Sequence, residues 1–127
     1  MLLAGALIIG LSALVPAAAV TADTIIPAAF RGVWAPTRAD CLDPDHVNIM
    51  YIATREFGFY EARSHPVDFR VETASPSRMR IRTVLLGEGQ SLPVLMDFEL
   101  SPDRQALAWR GFGRHPQSRN RYVRCLP

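Results

Sequence analysis

Val67-Asp68-Phe69-Arg70-Val71-Glu72-Thr73 decides the fold of this chain. Val67, Phe69, Val71 and Thr73 alternate with Asp68, Arg70 and Glu72, the two-residue period of a strand with one buried and one wet face. The same chemistry repeats outward from it. Ala74-Ser75-Pro76-Ser77 reads as a turn, after which Met79, Ile81, Thr83 and Leu85 alternate with Arg78, Arg80 and Arg82. Gly87-Glu88-Gly89-Gln90 turns the chain again, and Val94, Met96, Phe98 and Leu100 alternate with Leu95, Asp97 and Glu99. Ser101-Pro102-Asp103 makes a further turn before a strand marked by Leu107 and Trp109. A polar loop from Gly113 to Ser118 leads into a last strand at Arg121 to Cys125.

Toward the N-terminus, Glu56 to Arg63 reads as one strand, ended by Ser64-His65-Pro66. Val47 to Ala53 is apolar on both faces, as a buried or loop-covered strand would be, with a hairpin turn at Thr54-Arg55. Gly32-Val33-Trp34 starts the series. Eight short sequential strands with one apolar face each predict an all-β fold, a small eight-stranded antiparallel up-and-down barrel, since closure removes exposed edges. A β-sandwich is the alternative. The interior of such a barrel is filled by side chains or holds one small ligand; strands this short predict a modest, filled interior.

Met1 to Ala22 carries no charged side chain, and Leu2 to Val15 is almost wholly apolar. Pro16 and Ala17-Ala18-Ala19 follow, then Val20-Thr21-Ala22 as a second acceptable cleavage site before Asp23. This reads as a secretory signal peptide over residues 1–22, leaving one small domain over 23–127. An uncleaved anchor is the alternative, opposed by Pro16 and the alanines. Export predicts a periplasmic or secreted protein with no stable membrane span after cleavage and no nucleic-acid partner. No cysteine near the cleavage region is placed for a lipid anchor.

Exactly two cysteines, Cys41 and Cys125, in an exported chain suggest a disulfide; two free thiols are the alternative. Closing a loop of about 85 residues would stabilise by about 4.6 kcal/mol on a chain-entropy argument. All fourteen basic residues are arginine, and the net charge is +2, too slight an excess to imply an anionic partner by itself.

Gly32-Val33-Trp34 resembles the Gly-x-Trp signature of lipocalin-type barrels, in which the tryptophan plugs the closed end. A longer string is more specific: Ile26-Pro27, Phe30-Arg31-Gly32-Val33-Trp34, Asp40-Cys41, Phe59-Tyr60-Glu61 and Tyr122-Val123-Arg124-Cys125. Together it resembles a group of small exported proteobacterial proteins of uncharacterised function, over the whole mature chain. The resemblance implies a periplasmic location, a Cys41–Cys125 pair, and barrel-end duties for Gly32 and Trp34; it implies no activity. The chain is shorter than a typical lipocalin and lacks the lipid-anchor cysteine of some small envelope barrels.

Several groups are candidate sites. Arg78, Arg80 and Arg82 share a strand face and would form a positive stripe, unless Glu72 faces Arg78 and Asp68 faces Arg82 and neutralises it. From Ser101 onward six arginines stand against one acid, Asp103. Of these, Arg114, Arg119, Arg121 and Arg124 flank the His115-Pro116 loop and are the candidates for binding an anionic envelope polymer or a protein partner. Asp43-Pro44-Asp45-His46 brings oxygen and nitrogen ligands together, but with no further ligand at a familiar spacing it reads as a polar turn, and no metal or cofactor is assigned. Phe57, Phe59 and Glu61 share a strand face, which predicts an inward Glu61 at the barrel mouth, paired with an arginine. Glu61 and Glu99 are the only acid–base pair worth weighing for a hydrolase, and no catalytic residue is assigned. The expectation is a non-catalytic exported barrel that binds an envelope component or partner protein; a carrier of a small hydrophobic ligand in the barrel interior is the alternative.

Overall fold

A computed structural model describes residues 21–126 apart from Pro44, so most of the expected signal peptide lies outside the described residues. The chain forms β1 (Thr21–Asp23), β2 (Gly32–Ala35), β3 (Met50–Ile52), β4 (Phe57–Phe59), β5 (Ala62–Ser75), β6 (Arg78–Gly87), β7 (Gln90–Leu100), β8 (Ala106–Arg110) and β9 (Asn120–Arg124). Strands β2 to β9 pair antiparallel in the order β5-β4-β3-β2-β9-β8-β7-β6, and β6 returns to β5, closing an eight-stranded barrel. The period-two alternation of β5, β6 and β7 turns Phe69, Val71, Met79, Ile81, Met96 and Phe98 into one buried cluster. The sandwich alternative is thereby excluded.

Two boundaries differ from the sequence reading. Glu56 to Arg63 is not one strand: the chain turns at Tyr60-Glu61 and β5 already begins at Ala62. Ser64-His65-Pro66, expected to end a strand, lies inside β5, where the pairing with β6 slips between Ser64 and Phe69. A bulge is where a strand tolerates proline, which has no N–H for the ladder. His65 Nδ1 accepts the backbone N–H groups of Val67 and Asp68, at 3.1 Å each, and so occupies donors freed by the slip. The expected register is corrected as well. Glu72 faces Arg80, and Arg70 faces Arg82.

Strand β1 was not expected. It pairs with Val71, Glu72 and Thr73 of β5, on the side where the three-residue β4 reaches only Ala62 and Arg63. A cut before Asp23 would remove two of its residues, Thr21 and Ala22, whereas a cut after Ala19 keeps all three.

One end of the barrel is closed by the chain between β1 and β2. Ile26 and Phe30 there are fully buried, and the Ile26 N–H donates to the Thr54 carbonyl at 2.7 Å. Trp34 Nε1 donates to the Phe30 carbonyl at 2.9 Å, tying the plug to the first barrel strand. Arg124, on β9, lies over the Trp34 ring with its guanidinium carbon 4.2 Å from the centroid. It donates to the carbonyls of Ala29 and Arg31 at 2.7 Å each, and to that of Arg104 at 3.0 Å. Gly32 has φ +136°, and a Cβ there would stand 3.1 Å from an Arg124 nitrogen, so this position needs glycine both for its backbone and for the arginine's path. A disulfide joins Cys41 to Cys125, with Cα atoms 5.4 Å apart, and the Cys125 N–H bonds to the Val33 carbonyl at 2.8 Å. The last strand is held to the first by ladder, arginine and disulfide together.

Candidate ligand cleft at the barrel mouth

The strand directions put the connections of residues 60–61, 88–89 and 111–119, and the two ends of the connection 36–49, at the other end, the mouth. An open cleft of about 720 Å³ lies there. That size falls within the range of small-molecule sites. Its floor is aromatic. Phe59 stacks on Phe112 with centroids 5.1 Å apart and leans on Trp109 at 5.5 Å, and Trp109 meets Tyr122 edge-on at 5.3 Å. Leu85 and Leu92 add to the apolar lining, with Val47 and Pro36. Beneath this floor the barrel is packed with side chains down to Trp34 and Phe30. The interior is filled toward the closed end, and the cleft opens at the mouth.

Trp109 is 5% exposed, and its Nε1–H is the one buried side-chain polar atom without a hydrogen-bond partner among the described residues. Leaving such a donor unpaired costs about 1–3 kcal/mol, so it stands out in a molecule whose other indole, that of Trp34, is fully bonded. Tyr122 is desolvated in the same cluster, and burial, with a smaller contribution from the Asp40 charge, pushes its phenol up to about 12.

The rim carries both signs of charge. Gly87 packs directly on the Glu61 carbonyl, where any Cβ would collide with backbone, and this contact sets Glu88 of the β6–β7 turn beside Glu61 of the β4–β5 turn. A hydrogen bond and like-charge repulsion from Glu88 raise the Glu61 pKa. Glu61 is therefore at the mouth, as expected, but it is exposed and its partner is an acid. The inward orientation and the arginine partner are corrected: the turn at Tyr60-Glu61 ends the strand parity that would have pointed it inside. Opposite in sequence terms, Arg114, His115 and Arg121 line the cleft from the β8–β9 loop and the start of β9. The charge of Arg121 also helps hold the Asp103 carboxyl low, after the hydrogen bonds from Ser101 and Gln105.

The four C-terminal arginines do not act as one patch. Arg114 and Arg121 line the mouth; Arg119 donates to Glu99 at 2.7 Å on the outer wall; Arg124 is committed to three carbonyls at the closed end. The β6 arginine stripe is likewise answered, mainly by β7. Arg80 pairs with Asp97 at 2.7 Å and Arg78 with Glu99 at 3.5 Å, while Arg110 approaches Asp97 at 3.4 Å. The Arg80 hydrogen bond is the main reason the Asp97 carboxyl sits below its usual range. Exposed pairs of this kind add little stability each, but they neutralise the face.

Glu99 and Glu61 lie on different parts of the surface, one in the outer arginine–acid ladder and one at the rim. His46 accepts the Asn48 N–H at Nδ1 and approaches Asp40 Oδ1 at 3.3 Å through Nε2, while Asp43 accepts the Asp45 N–H. These are turn-stabilising contacts. Among the described residues no three histidine, cysteine or acidic side chains gather as a metal site would require. No described helix is long and apolar enough to cross a membrane.

No family model matches the chain, and neither curated proteins nor solved structures yield a significant match. What defines the protein's class is its fold and site: a closed eight-stranded barrel, plugged at one end and carrying an aromatic-floored cleft at the other. The cleft residues Trp109, Phe112 and Tyr122 were not singled out from sequence. Trp109 marked a strand and Tyr122 fell in the expected last strand, but their meeting with Phe59 depends on which strands face each other across the closed barrel.

Proposed function

We propose that this is an exported, non-catalytic binding barrel that takes a small ligand in its mouth cleft. The observation that carries this reading is the open aromatic cleft above a side-chain-filled barrel. A deep interior carrier has no matching space, because Phe57, Phe69, Phe98 and Trp34 occupy the barrel below the mouth. A long anionic polymer would need an unneutralised basic track, and the arginines best placed for one are paired with Asp97 and Glu99. The intramolecular disulfide is in keeping with an oxidising compartment such as the periplasm or the exterior.

Titration with the neutral fluorescent probe N-phenyl-1-naphthylamine tests the reading. One molecule is expected to bind per chain with enhanced emission. Leu92→Glu, which places a charge on the cleft wall at a side chain already 51% exposed, is expected to weaken binding at least tenfold while the fold stays intact by circular dichroism. Equal binding by this variant would show that the cleft is not the site.

A further inference from the structure

We infer that the cleft selects an uncharged ligand whose apolar body carries an acceptor oxygen, a ketone, ester or amide carbonyl, and that Trp109 Nε1–H is the donor that reads it. The inference rests on the cleft being the binding site and adds the chemistry of what enters.

Three observations converge. Trp109 lines the cleft, is almost completely buried, and holds a donor that no described residue satisfies. An indole N–H donates only, so the complementary group on a ligand is an acceptor. Of the other floor rings, Phe59 and Phe112 are hydrocarbon, and the phenol of Tyr122, whose ring meets the indole edge-on, is the one other polar group they bring. A site that leaves a donor unpaired in apolar surroundings favours a ligand with the matching acceptor by about the worth of one hydrogen bond.

The rim argues for the absence of net charge. Arg114 and Arg121 bring two positive charges to the cleft lining, and Glu61 and Glu88 bring acidic groups that share a hydrogen bond. A strongly anionic head would meet the acids, and a cationic one the arginines. The floor also disfavours sugars, which stack on exposed ring faces: Phe59, Trp109 and Tyr122 are buried, with Phe59 tilted against Trp109 and Trp109 packed edge-on with Tyr122.

The test compares two near-isosteric naphthalenes, methyl 2-naphthyl ketone and 2-isopropylnaphthalene, which differ in the carbonyl oxygen. The full chain, labelled with ¹⁵N, is titrated with each while the Trp109 indole N–H signal is followed, assigned by its loss in Trp109→Phe. The ketone is expected to bind about tenfold more tightly, the worth of one hydrogen bond to a buried donor. It should move the Trp109 proton downfield, with an affinity nearly unchanged between low and physiological salt. In Trp109→Phe the ratio between the two ligands should fall to near one, a comparison within one variant that cancels any change in cleft shape. Equal affinities in the wild-type chain, or a ketone preference surviving in Trp109→Phe, would overturn the assignment of the donor. Steep salt dependence would overturn the uncharged class. Binding of N-phenyl-1-naphthylamine without binding of either naphthalene would refute the donor assignment but leave the cleft as a site, and failure of all three probes would refute both.

Discussion

Arg124 and Trp34, ninety residues apart in sequence, are stacked at the closed end of the barrel with the guanidinium carbon 4.2 Å from the ring centroid. The arginine is desolvated there, which together with Arg104 pulls its pKa down, yet an arginine stays charged under any ordinary condition. Its charge is matched by three carbonyl oxygens rather than by an acid. The relationship connects the N-terminal plug, the first barrel strand and the last.

Removing that arginine therefore frays the closed end from three sides. Arg124→Leu is expected to destabilise by about 2–4 kcal/mol, since it strands carbonyl groups and removes a cation–π contact. In a domain of this size that lowers Tm by roughly 10–20 °C. Gly32→Ala should act in the same direction through strain at positive φ and pressure on Arg124. Chemical denaturation of both variants checks this; a loss below about 0.5 kcal/mol for Arg124→Leu would show that the contacts are incidental.

The disulfide spans 84 residues of separation, long enough for a substantial effect on the unfolded chain. Cys41→Ser is expected to cost about 2–4 kcal/mol under oxidising conditions. Reductant should lower the wild-type midpoint toward that of the variant and leave the variant where it is.

The alkaline limb of stability should report Tyr122. Its folded pKa of about 12 lies above the ordinary value of 10.0, so folding favours the neutral phenol. The contribution is fully present below pH 10 and is lost as pH rises toward 12, at no more than about 1.4 kcal/mol per pH unit. Urea titrations between pH 9 and 12 should show a shallower decline in Tyr122→Phe than in the wild-type chain. Parallel curves would contradict the burial of this phenol.

Processing should leave β1 intact. Intact-mass measurement of the protein recovered from the envelope of expressing cells is expected to give an N-terminus at Val20, after Ala17-Ala18-Ala19, because Thr21 and Ala22 pair with Thr73 and Glu72. An N-terminus at Asp23 would mean that β1 does not contribute to the mature barrel.

The barrel itself was legible because the period-two alternation of β5 to β7 is long and its turns carry glycine and proline. The short strands were not legible in the same way. Three residues, Phe57-Gly58-Phe59, contain too little pattern to show that the chain turns at Tyr60, so Glu61 was placed on a strand face instead of at a turn. The opposition of Arg78 and Arg80 to Glu99 and Asp97 could have been read by extending the hairpin register through the Gly87-Gln90 turn, but the bulge at Ser64 to Phe69 hides the register on the β5 side. Arg124 looked like a free surface cation because its three acceptors come from distant backbone, which no side-chain pattern reveals. The aromatic floor has the same cause: Phe59 and Trp109 meet across the barrel, a relation that only closure creates.

The most direct test of the mouth as the working end is a map of backbone and indole ¹H–¹⁵N shifts in the full chain on addition of N-phenyl-1-naphthylamine. That placement of the working end predicts changes confined to the cleft, at Phe59, Glu61, Gly87–Gln90, Leu92, Arg121, Tyr122, the β8–β9 loop from Phe112 to Ser118 and the Trp109 indole, with Arg78, Arg80 and the closed end around Trp34 unmoved. Shifts centred on the outer arginine–acid ladder, or no shifts at the mouth at saturating probe, would contradict it.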